Sequence, residues 1–162
     1  MKICIWITKI FDLGGTKRVV SLLANELVKE HEVTIMTYED RFREDRTMYH
    51  LSEDINVDFI DNSQFVNKHH TPAFCARYLV KKLNDRSGLF NKKSLNPILA
   101  EAIFSKKTRE KWVEYFNSQD YDVILTTASL SLRLAMIAPR LKAATIGWQH
   151  NCYAGYLEVP NV

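Results

Sequence analysis

Cysteine, glycine and proline are scarce in this sequence of 162 residues, which contains three, five and four of them respectively. Cys4, Cys75 and Cys152 are far apart and form no C-x-x-C pair. Neither a disulfide framework nor a zinc site is therefore indicated, and a reducing cytoplasm is the expected location. Repeats and low-complexity tracts do not occur, which excludes fibrous and disordered classes. The composition predicts a single globular domain over residues 1–162.

Long hydrophobic runs are also missing. The apolar start of the chain is interrupted by Thr8 and Lys9, well short of the roughly 20 residues that a membrane span needs. No G-x-x-x-x-G-K-[ST], H-E-x-x-H or G-x-S-x-G motif occurs. P-loop, zincin and nucleophile-elbow hydrolase functions therefore have no support in the sequence.

Basic residues are concentrated in the middle of the chain. Residues 61–111 carry eleven lysines and arginines against four acidic residues, although the net charge of the whole chain is only +3. Such an excess predicts either an anionic partner for this region or a solvated basic face, and the composition does not decide between them. Nucleic acid is the less favoured partner, because the basic and aromatic residues form no recognised reader motif.

Apolar runs alternate with amphipathic stretches along the chain. The runs predicted as strands are nearly continuous in apolar residues, as expected of a parallel sheet that is buried on both faces; they span 2–8, 33–38, 55–60, 121–127 and 144–150. Helices are predicted between them, at 16–30, at 129–141 and within 61–118, and the apolar stripe of the first includes Val20, Leu22 and Ala24. This alternation predicts an α/β fold: a Rossmann-like, doubly wound parallel sheet with flanking helices and strand order 3-2-1-4-5. The charged stretch 39–54 shows no periodicity and is predicted to be an exposed loop.

In a doubly wound sheet of this order, ligands bind at the carboxyl ends of strands 1 and 4. Three loops are predicted to converge there, at 9–15, 127–129 and 149–153. The first contains the adjacent glycines Gly14 and Gly15, followed by Thr16 as the predicted N-cap of the first helix. Missing side chains and unpaired helix amides suit a phosphate group, but a glycine pair is also explained by a tight turn. Both interpretations are open at this stage.

Two further features lie at predicted strand ends. His150 closes the fifth strand, where an imidazole can donate to a phosphate or a sugar hydroxyl at neutral pH, or can pack between Trp148 and Tyr153. Glu39 and Asp40 follow the second strand, the place of the acid that binds ribose in dinucleotide-binding folds. The glycine spacing departs from G-x-G-x-x-G, so an NAD-type site is an alternative with partial support.

The first forty residues, MKICIWITKIFDLGGTKRVVSLLANELVKEHEVTIMTYED, are similar to the opening of glycosyltransferase family 4 enzymes, whose fold is GT-B. The shared pattern is a strand, a glycine pair, a helix beginning near A-E-R-V and a strand introduced by G-H-E-V. Here Thr16-Lys17 and Glu30 depart from it. YDVILTTASLSLRLAMIAPRL resembles the strand and helix before the family's active site, and TIGWQHN resembles the strand that ends in its histidine. The middle region, 61–118, is only loosely similar.

The resemblance implies transfer of a sugar from a nucleotide-sugar to an acceptor, with retention of anomeric configuration and without a metal or other cofactor. It places Gly14, Gly15 and Thr16 at the donor diphosphate, through the amide of Gly15. It places His150 at the donor sugar, where the side chain helps to stabilise charge near the anomeric centre. The implied role is polysaccharide or glycoconjugate biosynthesis, with a sugar or lipid-linked acceptor.

In this family the segment between the third and fourth strands often docks on a membrane to reach a lipid-linked acceptor. The basic residues assigned to this acceptor or membrane side are Arg77, Lys81, Lys82, Lys92, Lys93, Lys106 and Lys107. They are interleaved with apolar residues in a composition suited to an anionic lipid surface. The resemblance therefore implies a cytoplasmic protein that binds the inner face of the membrane peripherally.

The second domain of the family binds the nucleotide and carries an E-x7-E motif, but no glutamate of this chain is followed by another eight positions later. The 162 residues are therefore expected to be the acceptor-side, amino-terminal half of a GT-B enzyme, inactive without a C-terminal domain or a partner half. Two alternatives stay open: an NAD-type Rossmann domain, and a non-catalytic subunit that recruits a split glycosyltransferase to the membrane.

Overall fold

The computed structural model describes residues 1–39, 41–61, 65, 75–76, 79, 83, 104–127 and 130–148. The chain divides into two compact units, which are Met1–Asn62 with Val113–His150, and Ser63–Trp112 with Asn151–Val162. The first unit contains a parallel sheet. In the second unit Phe65 stacks on Trp112 at a ring-centroid distance of 3.9 Å. The helical residues described there are Cys75, Ala76, Leu79 and Leu83, within a stretch predicted to be helical, and the first turns of a helix that begins at Lys106.

Five parallel strands form the sheet in the order β3-β2-β1-β4-β5. Their bounds are β1 Lys2–Trp6, β2 Glu32–Thr37, β3 Asn56–Phe59, β4 Val123–Thr127 and β5 Ala144–Trp148. The predicted α/β class, the Rossmann-like doubly wound arrangement and the strand order are confirmed. β1 is the central strand, with Cys4 paired to Thr34 of β2 on one side and to Ile124 of β4 on the other.

Helix α1, Gly15–Leu27, covers one face of the sheet. Its buried residues Val20 and Ala24 belong to the same apolar core as Ile3, Ile5 and Ile35 of β1 and β2. Alternate residues of a strand point to one face, so this helix takes the odd-numbered positions of β1. Complete burial of each such aliphatic side chain contributes roughly 1.5–3 kcal/mol, which makes this interface a main source of stability.

The sequence prediction for α1 was wrong in two details. Thr16 is not the N-cap, because the carbonyl of Gly14 accepts the first helical hydrogen bond, from the N–H of Arg18 at 3.1 Å. Gly14 is therefore the N-cap and Thr16 is the second residue inside the helix. Leu22, expected in the apolar stripe, is 55% exposed, because a rotation of about 100° per residue turns it away from Val20 and Ala24.

The opposite face of the sheet carries α3, Leu130–Ile137, and the end of α2, a helix that spans Lys106–Ser118 and belongs to the first unit from Val113 onward. Phe116 of α2 meets Trp6 edge-on at a centroid distance of 5.3 Å. Ser131 of α3 lies close to Gly147 of β5. A Cβ built on Gly147 would be 3.3 Å from the Cβ of Ser131. Strand register places Trp6 and Gly147 on the same face, so α1 lies on one side of the sheet and α3 on the other.

The segment 39–54 was predicted to be an exposed loop, and this is wrong for two of its residues. Glu39 and Leu51 are 7% and 5% exposed, although most residues between them are at the surface. The Arg46 guanidinium braces the end of the segment by donating to the carbonyls of Ser52 and Ile55 at 2.7 and 3.1 Å. These contacts are tertiary, and they leave no periodic pattern in the sequence.

A polar cluster lies where the end of α2 meets the sheet, and it consists of the buried Cys4 and the half-buried Thr34, Asp58, Tyr115 and Tyr121. The Tyr115 hydroxyl donates to Asp58 Oδ2 at 2.5 Å, and the Tyr121 hydroxyl is hydrogen-bonded to the Thr34 side chain. Burial, followed by the nearby Asp58 charge, raises the pKa of the Cys4 thiol well above its usual range. Burial and the same carboxylate also raise the pKa of Tyr115. The folded chain therefore holds these protons more tightly than the unfolded chain does.

We predict that this cluster makes the protein sensitive to alkaline pH. Because the pKa of Cys4 is raised in the fold, its contribution to stability is complete below the unfolded value of 9.0 and is lost as the pH rises above it. The free energy of unfolding should fall with a slope approaching about 1.4 kcal/mol per pH unit above that value. Urea unfolding of wild type and Cys4→Ser between pH 7.5 and 10 measures it, and the variant should lack this part of the slope.

Cys75 supplies the matched control, since it is an exposed thiol. The Cys75→Ser variant should keep the wild-type slope. Equal slopes in wild type and Cys4→Ser would contradict the assignment of the effect to the buried thiol.

Candidate functional site

The loop that follows β1 leaves the sheet at its switch point, where β1 lies between β2 and β4. The N–H of Ile7 makes the last ladder bond of this strand, to the carbonyl of Met36 at 3.0 Å. The chain then crosses toward the α1 face, whereas α3 begins on the other face. Ligands of open α/β sheets bind in the crevice that such a divergence creates, so this loop and the start of α1 form the candidate site.

Neither glycine of the loop is required by the path of the chain. Gly14 is extended, with φ 160° and ψ 150°, and a Cβ there would meet only the flexible end of the Lys17 side chain. Gly15 is the first helical residue, and a Cβ built on it would have no atom within 4 Å. A tight turn therefore does not explain why glycine occupies these two positions. The bare backbone does leave open space in front of Gly15.

Three amides at the start of α1 point out of the helix without an acceptor. Within the described part of the chain, the N–H groups of Gly15, Thr16 and Lys17 have no hydrogen-bond partner, and the helix has neither a side-chain cap nor an acidic residue in its first turn. The Gly14 N–H is occupied by Tyr49. Free amides, the positive end of the helix dipole and the adjacent cations of Lys17 and Arg18 together suit an anionic group.

Glu39 lies beneath this loop. Its Oε2 accepts the backbone N–H of Ile10 at 2.6 Å and of Phe11 at 3.0 Å, and the Thr37 hydroxyl lies 3.4 Å from the same oxygen. The other carboxylate oxygen, Oε1, is buried without a hydrogen-bond partner. The acid that the sequence suggested for a ribose is therefore engaged by backbone amides of the chain itself. Asp40 lies outside the described residues.

Tyr49 holds the glycine end of the same loop, and sequence reasoning missed it. Its hydroxyl accepts the Gly14 N–H at 2.8 Å and lies 3.3 Å from the Gly14 carbonyl. Asn25 of α1 fastens the segment that carries Tyr49, by donating to the His50 carbonyl and accepting from the Ser52 N–H, both at 2.9 Å. The segment 39–54 shows no periodicity, so the sequence contains no signal that would have revealed these contacts.

A second polar group occupies the carboxyl edge on the α3 face. The Trp6 indole N–H donates to the Tyr38 hydroxyl at 3.0 Å, and the Arg133 guanidinium of α3 lies against the same hydroxyl. Burial raises the pKa of Tyr38 to about 12, and Arg133 opposes that rise. Tyr38 is therefore neutral at physiological pH. Arg133 was also missed, because a single cation in an apolar helix carries no motif.

The other predicted site residues are placed as follows. Thr127 ends β4 and is buried. Lys106 and Lys107 are exposed in the first turn of α2. The residues that lie outside the described part are Arg77, Lys81, Lys82, Lys92, Lys93, Ser129, His150 and Asn151.

Neither a metal-binding cluster nor a membrane-spanning helix occurs among the described residues. They contain no cluster of three or more His, Cys, Asp or Glu residues arranged to hold a metal ion. None of the helices described has both the length and the apolar composition to cross a membrane.

Comparison with known proteins does not identify a family for this chain. The sequence matches no protein-family model, and no curated protein is significantly similar to it.

We predict that the Tyr49 hydroxyl, rather than its ring, holds Gly14 in place. Tyr49→Phe should cost no more than about 1 kcal/mol of stability, since one hydrogen bond near the surface is lost. The Gly14 amide should exchange with solvent faster, which NMR measures directly. Tyr115→Phe removes a hydroxyl from the polar cluster around Cys4 and should leave the exchange rate of the Gly14 amide unchanged. Unchanged exchange in Tyr49→Phe would show that the contact has no role.

Proposed function

We propose that this chain is the acceptor-side Rossmann-like domain of a retaining GT-B glycosyltransferase, which moves a sugar from a nucleotide-sugar donor to an acceptor in polysaccharide or glycoconjugate biosynthesis. The observation that carries the proposal is the free amide row of Gly15, Thr16 and Lys17, behind glycines that the chain's own path does not need. The confirmed strand order supports it, because the loop that leads to this row leaves the sheet at its switch point.

A diphosphate fits this row in charge and in hydrogen bonding. The ligand supplies only acceptors, the helix start supplies only donors, and Lys17 and Arg18 add positive charge. A phosphate oxygen can approach the Gly15 amide closely because no side chain covers it. In the proposed reaction the bond from the anomeric carbon to the diphosphate breaks, and donors at this position stabilise the negative charge of the leaving group.

The remaining roles follow from the family resemblance. His150 would contact the donor sugar, and the nucleotide would be held mainly by a second domain or a partner half. The acceptor would be a sugar or a lipid-linked sugar, and the basic residues from Arg77 to Lys107 would face it or an anionic membrane surface. The exposed positions of Lys106 and Lys107 are compatible with this role.

The competing NAD-type function is less well supported. It needs an acid after β2 that reaches the ribose hydroxyls, whereas the Glu39 carboxylate is buried against Ile10 and Phe11. The glycine pattern also lacks the dinucleotide spacing.

We predict that the chain binds inorganic pyrophosphate weakly, with Kd in the millimolar range, through the amides of Gly15, Thr16 and Lys17. Gly15→Val should abolish this binding, because its side chain fills the open space that the ligand needs. The folded chain tolerates the change, since nothing lies within 4 Å of the new Cβ, and the free energy of unfolding should stay within about 0.5 kcal/mol of wild type. NMR titration and urea unfolding measure the two quantities.

Leu22→Ala is the matched control, because Leu22 lies exposed on the same helix and away from its first turn. It should bind pyrophosphate like wild type. UDP should bind no more than a few-fold tighter than pyrophosphate, since in the proposal the nucleoside is held mainly by a second domain or a partner half. Sub-micromolar binding of NADH or of UDP would overturn the proposal.

We also predict a catalytic effect in the complete transferase. His150→Ala and Gly15→Val should each lower kcat by about 10²–10³, the range observed when one preorganised transition-state donor is removed. Sugar transfer from the donor is the measurement, with circular dichroism to verify folding. Near-normal turnover in both variants would refute the assignment of these residues.

A further inference from the structure

Among the described residues, the Glu39 carboxylate is the only buried acidic group that is hydrogen-bonded to the loop between β1 and α1. It is 7% exposed, and its Oε2 accepts two successive backbone amides of that loop, those of Ile10 and Phe11. The Thr37 hydroxyl bonds the Glu39 N–H at 3.3 Å and lies 3.4 Å from Oε2, which fixes the side chain from the strand side.

We infer that Glu39 is a positioning residue: its carboxylate fixes the path of residues 8–14 and so places the amides of Gly15, Thr16 and Lys17 for an anionic ligand. The inference rests on the proposed function, in which that ligand is the donor diphosphate. It assigns to Glu39 a role opposite to that of a ribose-binding acid, since the side chain acts through the loop and does not touch the ligand.

The hydrogen-bonding needs of the loop explain why a carboxylate is used. Ile10 and Phe11 bury their side chains in the core, so their amides are held away from water beyond the end of the β1 ladder. A buried amide without an acceptor is strongly unfavourable, and an ionised acceptor makes the shorter and stronger bond. Glu39 holds the beginning of the loop and Tyr49 holds its end at Gly14. The helix start that follows Gly14 is therefore held in a fixed position relative to the ligand.

The charge of Glu39 would by itself weaken the binding of an anion, because like charges repel. Its Oε1 is buried without a partner, so that oxygen is not accessible to a ligand in this structure. Geometry and charge therefore act in opposite directions on anion affinity. Substitutions can separate the two effects, because glutamine keeps an acceptor oxygen and loses the charge, while alanine loses both.

The test is an NMR titration of the 162-residue chain with inorganic pyrophosphate, in wild type, Glu39→Ala and Glu39→Gln. If Glu39 acts by position, Glu39→Ala should weaken binding about tenfold and speed exchange of the Ile10 and Phe11 amides. Glu39→Gln should restore binding to the wild-type value or tighten it up to about threefold. The amide shifts of Gly15, Thr16 and Lys17 should change in the alanine variant and stay close to wild type in the glutamine variant.

Asp12→Asn is the matched charge control. Asp12 lies on the same loop, is half-buried and pairs with Lys9 at 2.8 Å, so its removal changes the charge without removing an acceptor from Ile10 or Phe11. It should tighten binding slightly. If Glu39→Ala tightens binding as Asp12→Asn does, Glu39 acts through charge alone and the inference is wrong.

Thr37→Val keeps the inference testable if Glu39→Ala does not fold. It removes the hydroxyl that braces Glu39 and keeps the side-chain shape, and the Thr8 carbonyl retains its bond from the Tyr38 N–H. It should give a weaker form of the alanine phenotype, and unchanged loop exchange would overturn the inference.

Failure of the proposed function has a separate signature. Wild type would then not bind pyrophosphate, while loop exchange and the amide shifts of the helix start would still decide whether Glu39 sets their position.

Discussion

β1 is paired with a strand on each side and covered by side chains on both faces, so its residues from Ile3 to Ile7 are removed from water. A strand in this position can end only where its last amide still finds a carbonyl, which here is at Ile7. Beyond that point the chain has buried N–H groups for which a neighbouring strand no longer supplies a carbonyl acceptor. The acceptors of the following loop must come from side chains, and Glu39 and Tyr49 supply them. The candidate site is thus a consequence of how the central strand terminates.

The sheet could be predicted from the sequence because its information is local. Nearly continuous apolar runs mark strands buried on both faces, and the handedness of parallel connections then limits the order. Strand bounds were predicted less well: the sequence suggested a third strand from Ile55 to Ile60, whereas β3 spans Asn56–Phe59. The end of a strand depends on its neighbours, and a single run of residues does not contain that information.

The contacts of the site that were missed share a physical character. Glu39, Tyr49 and Arg133 each act across the fold on residues at least 28 positions away, or on the opposite side of the crevice. Such contacts leave neither a period nor a spacing in the sequence. The glycines were found because adjacent glycines are rare, but their meaning became clear only when their dihedral angles and the space around them were known.

The double hydrogen bond of Asn25 has a consequence for binding. Its amide fastens the Tyr49 segment to α1 through His50 and Ser52, so the helix start and the segment that steadies Gly14 move as one piece. A ligand that arrives there does not have to order a loop first. The conformational entropy that binding normally loses has already been lost during folding. The free energy of the few contacts that a small anion makes would then contribute to its affinity with almost no loss for ordering the loop.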